Sequence, residues 1–503
     1  NMSVMGWEVG SAITLILIAI FLVPRYLTQG ITTIPDFIQS RFDNGTRLFV
    51  TILFLVSYIV NLLPVTLYSG AVSMGQLFNI SEIFGITYEQ SIWLMVWVIG
   101  IIGSIYAIFG GLKAVAIADT VNGVALAIGG LLVPFFGLVV LGGGSFTDGF
   151  TVFINSAPEK FNSIGSNTDP LPFSTMFTGL LLVNLYYWGT DQAIIQRALG
   201  AKDLKEAQKG VIFAGLLKVL TPFMIIIPGV IAFQIFGGNI SNMDTVYPLL
   251  VSEVLPAPLA GLFAAAMLGA ILSTFNSVLN SSSTLFALNF YKPLVKKELT
   301  ESHLIKVGKI FALIVAVISM FIAPFILNAP NGLFDYLQMI NGFFNVPIFT
   351  IIFMGYITKR VPPIAANIAM AFFVITYGIT QLVWDTGIHY LHISAILFVI
   401  SCTIMYFIGK KKPLDTPYEM PISNAVELTP WKGRYTFSGF VIFVMVGMYI
   451  VFSKVGIARE EGIGQDTFMY LGVLGVICLV GILVTNLKFN RKKNSNSEQN
   501  FNN

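Results

Sequence analysis

Four hydrogen-bonding side chains stand where the surrounding sequence is apolar. Lys218 lies near the middle of the run from Val211 to Phe236, and Glu8, Asn184 and Gln338 interrupt apolar segments far from it in the chain. A lysine at membrane depth costs roughly 2.5–3.5 kcal/mol on insertion scales, so it faces a partner or a wet cavity. Glu8 can accept, Lys218 can donate, and the two amides can do both, which suits a neutral, hydroxyl-rich solute. Asn184 and Tyr187 are three apart and share one helix face, which adds an aromatic surface. A second constellation is Ser273-Thr274 with Ala270 one turn earlier. Two hydroxyls and a backbone carbonyl are the neutral oxygen donors that a hard cation such as Na+ prefers. Each group also has a bland alternative. Lys218 could serve only as a structural partner to a carboxylate, the amides could only join helices, and small hydroxylated residues let membrane helices pack closely.

The elements that must position these groups follow from the apolar pattern. Mean hydropathy is +0.81 and 11% of residues are charged, which excludes an ordinary soluble protein. Thirteen stretches are long enough to cross a bilayer: 11–27, 47–77, 89–109, 120–142, 175–197, 209–236, 258–290, 305–328, 335–358, 363–383, 391–408, 436–454 and 468–487. Backbone groups in lipid must be paired internally, so these are helices, and the alternating ten-residue pattern of a β-barrel is absent. Of the 28 basic residues, 24 fall on one side of the implied bundle and 3 on the other, with Lys218 between. That alternation sets the C-terminus in the cytoplasm. It also makes the first helix run inward, which implies missing upstream helices, an even number of them if the native N-terminus lies outside.

Other chemistries find little support. Cys402 and Cys478 sit alone in separate helices, and His303, His389 and His392 lack metal-ligand spacing. No nucleophile–base arrangement or phosphate-binding loop points to an enzyme. The net charge of +3 is the usual excess of an inside loop and implies no nucleic acid. The helices starting at 175, 209, 258, 305 and 335 form a set of five. Those starting at 11, 47, 89 and 120 make a second set if one more precedes them. An odd number per set inverts the repeats, a common transporter plan with its site at midplane.

Several motifs carry a family resemblance. Tyr106-Ala-Ile-Phe-Gly-Gly-Leu-Lys-Ala114 followed by Asp119 resembles the signature of the solute:sodium symporter family. The stretch Asn184-Leu-Tyr-Tyr-Trp-Gly-Thr-Asp-Gln-Ala-Ile-Ile-Gln-Arg197, then Ala207-Gln-Lys-Gly210, is similar to its sodium/galactose and sodium/glucose-type branch. So are the run from Ser273 to Phe286 and Phe334-Asp-Tyr-Leu-Gln338. The opening Trp7-Glu-Val-Gly-Ser-Ala-Ile-Thr14 is similar to the third helix of the bacterial members, and the resemblance runs from about residue 6 to 360.

The resemblance implies an all-α, LeuT-type bundle of five plus five helices with extra C-terminal helices. Its divisions are 1–142 (a first repeat lacking its first core helix), 143–174 (an extracellular loop), 175–358 (the second repeat), 359–487 (accessory helices) and 488–503 (a disordered cytoplasmic tail). Two upstream helices are implied, one of them the broken helix that brings carbonyls to Na+ and a glutamine to the sugar. The resemblance implies sugar contacts at Glu8, Ser11, Asn184, Lys218 and Gln338, and a gate of Tyr187, Trp188 and Phe334. It implies Na+ ligands at Ala270, Ser273 and Thr274. Asp119 matches an acidic residue on the ion exit route, or it caps the helix 120–142. The expectation is a Na+-driven importer of a hexose such as galactose or glucose in a bacterial cytoplasmic membrane, with no organic cofactor. The alternatives are the same machine with another organic solute, or a nutrient sensor on a transporter fold.

Overall fold

Long apolar segments leave their backbone groups no partner but one another, and the computed structural model is helical throughout them. It describes residues 1–501 other than 32, 110, 111, 241, 296–298, 330, 331, 424, 425, 461 and 462, and for 108–116, 335 and 486–501 only the backbone. Gly110 and Gly111, at the centre of the Tyr106–Ala114 motif, therefore lie outside the described residues. Among the described residues, twelve helices are long and apolar enough to cross a membrane.

In chain order, α1 is Met2–Gln29, α2 the short Ile34–Arg41, α3 Asn44–Leu77, α4 Tyr88–Ala107 and α5 Leu112–Leu141. Two short helices follow, α6 Gly179–Gly189 and α7 Gln192–Leu199. Then come α8 Leu204–Phe236, α9 Ala257–Val295 and α10 Glu301–Asn328. The pair α11 Gly332–Gly342 and α12 Asn345–Ile357 precedes α13 Pro363–Leu382, α14 Tyr390–Lys411, α15 Arg434–Val451 and α16 Gln465–Phe501. Helix α1 packs on α8 and α6, α5 on α9 and α8, and α3 on α4 and α9, while α16 lies against α15 at the edge.

Two of the thirteen apolar stretches are not single helices: 335–358 is interrupted between α11 and α12, and 175–197 is interrupted as well. It breaks between α6 and α7, where the Thr190 and Asp191 amides both turn back to the Tyr186 carbonyl, at 2.7 and 3.0 Å. The buried Asp191 carboxylate then caps α7 by accepting from the Ala193 amide at 2.8 Å and from the Tyr58 hydroxyl at 3.1 Å. A buried carboxylate needs several donors, and leaving the helix supplies them. At the other end of the chain, α16 continues into the 488–503 segment that composition alone reads as disordered. A helix already nucleated by apolar residues propagates at little cost.

One cation is wholly structural. Arg41 at the end of α2 is 2% exposed. Its guanidinium donates to the carbonyl of Gly355 (2.9 Å), in the last turn of α12 where carbonyls lack helical partners, and to those of Thr358 (2.9 Å) and Val361 (3.2 Å) just beyond it. Burial pushes its pKa down to about 10, which keeps it charged at neutral pH. The α2 helix that delivers it begins with a capping box between Thr33 and Asp36.

Candidate functional site

Helices α1 and α8 cross so that residues 210 apart in sequence meet: Lys218 Nζ lies 2.5 Å from Glu8 Oε2. The ammonium also sits 5.1 Å from the centre of the Trp188 ring, within the range of a cation–π contact. The pair carries no net charge and stays a quarter exposed, at 25% for each side chain. Both groups open onto a cavity of about 200 Å³ shared with Asn184, Tyr187, Trp188, Phe334 and Gln338. The Nδ2 of Asn184 is buried with no hydrogen-bond partner among the described residues. Such an amide is costly to leave unpaired, and a solute oxygen would satisfy it.

Aromatic rings bound the cavity. Tyr187 and Trp188 meet edge to face with centres 5.2 Å apart, and Trp7 meets Phe334 in the same way at 5.5 Å. All four residues line the cavity. The residues singled out from sequence as solute contacts and gates thus come together here, with one correction. Ser11 does not line the cavity; it is buried and its hydroxyl donates to the Glu8 carbonyl at 2.5 Å, inside its own helix. Small hydroxyls in apolar helices commonly take this route because it needs no outside partner.

Residues not singled out from sequence complete the lining. Asn341 and Asn345 flank the break between α11 and α12, and Asn61 donates to Asn341 Oδ1 at 2.9 Å. Asn61 lies in a π-helical turn, Tyr58–Leu62, of the kind that collects at functional sites. The rule that singled out Gln338, an amide inside an apolar run, would have found all three.

The candidate ion residues lie on α9, outside the cavity lining. Ala270, Ser273 and Thr274 share a face by their spacing. The Ser273 hydroxyl donates to the Asp119 carboxylate. A hydroxyl that gives its proton away keeps lone pairs for a cation, so Ser273 has the chemistry to serve Na+. Asp119 in turn pairs with Arg197 at 2.7 Å, and Arg197 also donates to Ser277 Oγ at 2.7 Å. The capping alternative for Asp119 does not hold, because α5 begins at Leu112 and Asp119 lies within it.

A helical bundle with a polar, aromatic-walled cavity beside broken helices defines a secondary transporter. Comparisons give the particular lineage. Residues 2–372 match the profile described as the Sodium:solute symporter family, and the chain belongs to that family. It is 43% identical over 456 residues to the uncharacterized symporter YidK of Escherichia coli (strain K12), covering 91% of this chain and 80% of that protein. It is 30% identical over 385 residues to the sodium/glucose cotransporter of Vibrio parahaemolyticus, covering 72% and 68%. The fold matches that of a Na+-coupled sialic acid symporter in a substrate-bound outward-open state, with a TM-score of 0.66, 19% identity and coverage of 82% and 84%. The protein is a multi-pass, Na+-coupled solute symporter with a LeuT-type fold, not an enzyme.

Proposed function

We propose that this symporter imports a sugar, a hexose such as galactose or glucose, driven by an inward Na+ gradient. The carrying observation is the composition of the cavity: an internally neutralised Glu8–Lys218 pair, an unpaired Asn184 amide and two aromatic walls. An anionic solute would need an uncompensated cation, whereas here the lysine charge is already cancelled at 2.5 Å. The volume of about 200 Å³ is below the range of roughly 300–1,000 Å³ of drug-sized pockets, which suits a monosaccharide. In this reading Glu8, Asn184, Lys218 and Gln338 bind hydroxyls, while Tyr187, Trp188 and Phe334 form the walls and gates. Ala270, Ser273 and Thr274 hold Na+, and Asp119 assists its exit. The repeats 1–142 and 175–358 rock against one another, with 359–487 accessory. Sugar and Na+ raise each other's affinity, as linkage requires.

Uptake of labelled galactose and glucose into proteoliposomes tests this reading, comparing an inward Na+ gradient with an equal K+ gradient. Accumulation of either hexose with Na+ alone supports it. Na+-driven flux of a different solute, with neither hexose moved, replaces the sugar and leaves the symport mechanism standing.

A further inference from the structure

We propose that Asp244 is an outer latch, a positioning residue that holds α11 closed over the cavity on the face poor in Lys and Arg. The proposal rests on the reading of the cavity as the solute site. Helix α11 delivers Phe334, Leu337, Gln338 and Asn341 to that cavity, so its position decides access from that side. Asp244 comes from the 237–256 connection between α8 and α9, which contains no Lys or Arg.

Its carboxylate reaches two other elements at once. It accepts from the Leu333 amide at 3.1 and 3.3 Å and from the Tyr68 hydroxyl of α3 at 3.2 Å. The Leu333 amide is one of the donors that a helix start leaves unsatisfied, and a negative charge is favoured there. Gly332 makes the approach feasible. Its φ of +82° disfavours other residues, and a Cβ there would stand 3.0 Å from Asp244 Oδ1. The Tyr88 hydroxyl of α4 is buried with no hydrogen-bond partner among the described residues and lies in the field of the same carboxylate.

The far end of α11 is held differently. There Asn61 holds Asn341, and one turn in from Leu333 the Tyr336 hydroxyl donates to the Val60 carbonyl at 3.1 Å, so the helix beyond its first turn stays tied to the π-helical turn of α3. Past the far end, Phe343 and Phe344 interrupt the helix. A short helix tied from Tyr336 onward, with a carboxylate on an amide of its start, can swing that first turn when the carboxylate lets go. Phe334 would then leave Trp7 and open the cavity to the outer face.

The test uses the full chain in proteoliposomes, with Cys402→Ser and Cys478→Ser removing the native thiols and Leu337→Cys reporting from the cavity wall. A membrane-impermeant maleimide is added outside, and Asn239→Cys scores the fraction of molecules presenting the 237–256 connection outward. Asp244→Ala is expected to raise the labelling rate of the reporter about tenfold, Asp244→Asn less, because an oxygen still faces Leu333, and Tyr68→Phe a few-fold. An unchanged rate in Asp244→Ala, while Phe334→Ala raises it, overturns the latch. So does an equal rise at a buried control, Ser401→Cys in α14, which would report general loosening. If Asp244→Ala does not fold, Tyr68→Phe decides, and no change there also overturns it. Labelling needs no solute, so failure of the sugar reading leaves this result interpretable.

Discussion

Arg41 and Lys218 both lie inside this protein, and their surroundings differ in kind. Arg41 spends its donors on carbonyls at and just past the end of α12, is 2% exposed, and is not among the residues lining the cavity that Lys218 borders. Lys218 meets a carboxylate on another helix, keeps a quarter of its side chain exposed, and borders a cavity with an unpaired amide. A satisfied group holds structure together. A group whose neighbours are left wanting is arranged to receive something, because burying unpaired polar atoms without a ligand costs stability.

Four substitutions sharpen this contrast. The largest effect is expected from Lys218→Ala, which should lower Na+-driven uptake about 100-fold by leaving solute hydroxyls and Glu8 unpaired. Adding Glu8→Ala should recover melting temperature but not uptake; recovery of uptake would reduce the pair to a structural role. Arg41→Ala should destabilise the fold by about 3 kcal/mol, since several helix-end carbonyls lose their donor. Its surviving folded fraction should transport with an unchanged KM, and a changed KM would tie α2 to the solute site. Asn184→Ala should weaken apparent solute affinity about tenfold while moving stability by less than about 1 kcal/mol. A large loss of stability would mean that its amide is engaged in holding helices. Smallest of all, Ser11→Ala should shift stability by no more than about 0.5 kcal/mol and leave uptake unchanged. A marked rise in KM there would restore Ser11 to the site.

Much of this was legible from sequence because the bilayer allows few solutions. Apolar length, together with the need to pair every backbone group, made the helices visible, and a polar residue inside such a run marked Glu8, Asn184, Lys218 and Gln338. The family motifs supplied the candidate Na+ residues and the gate. What stayed hidden was direction and partnership. Nothing local distinguishes Ser11 turned into its own helix from Ser11 turned into a cavity, or shows that the 175–197 stretch breaks so that Asp191 can collect donors. Asn61 and Asn341 gain meaning only when α3 and α11 touch.

Composition and periodicity by themselves determined that the chain is an all-helical membrane protein with polar groups at depth, because solvation by lipid acts on each segment separately. Tertiary structure alone decided that Lys218 meets Glu8, that Arg41 meets helix-end carbonyls, and that Asp244 meets the start of α11. Those outcomes depend on which helices cross and where, and pairing energies between residues far apart in the chain leave no local pattern to read.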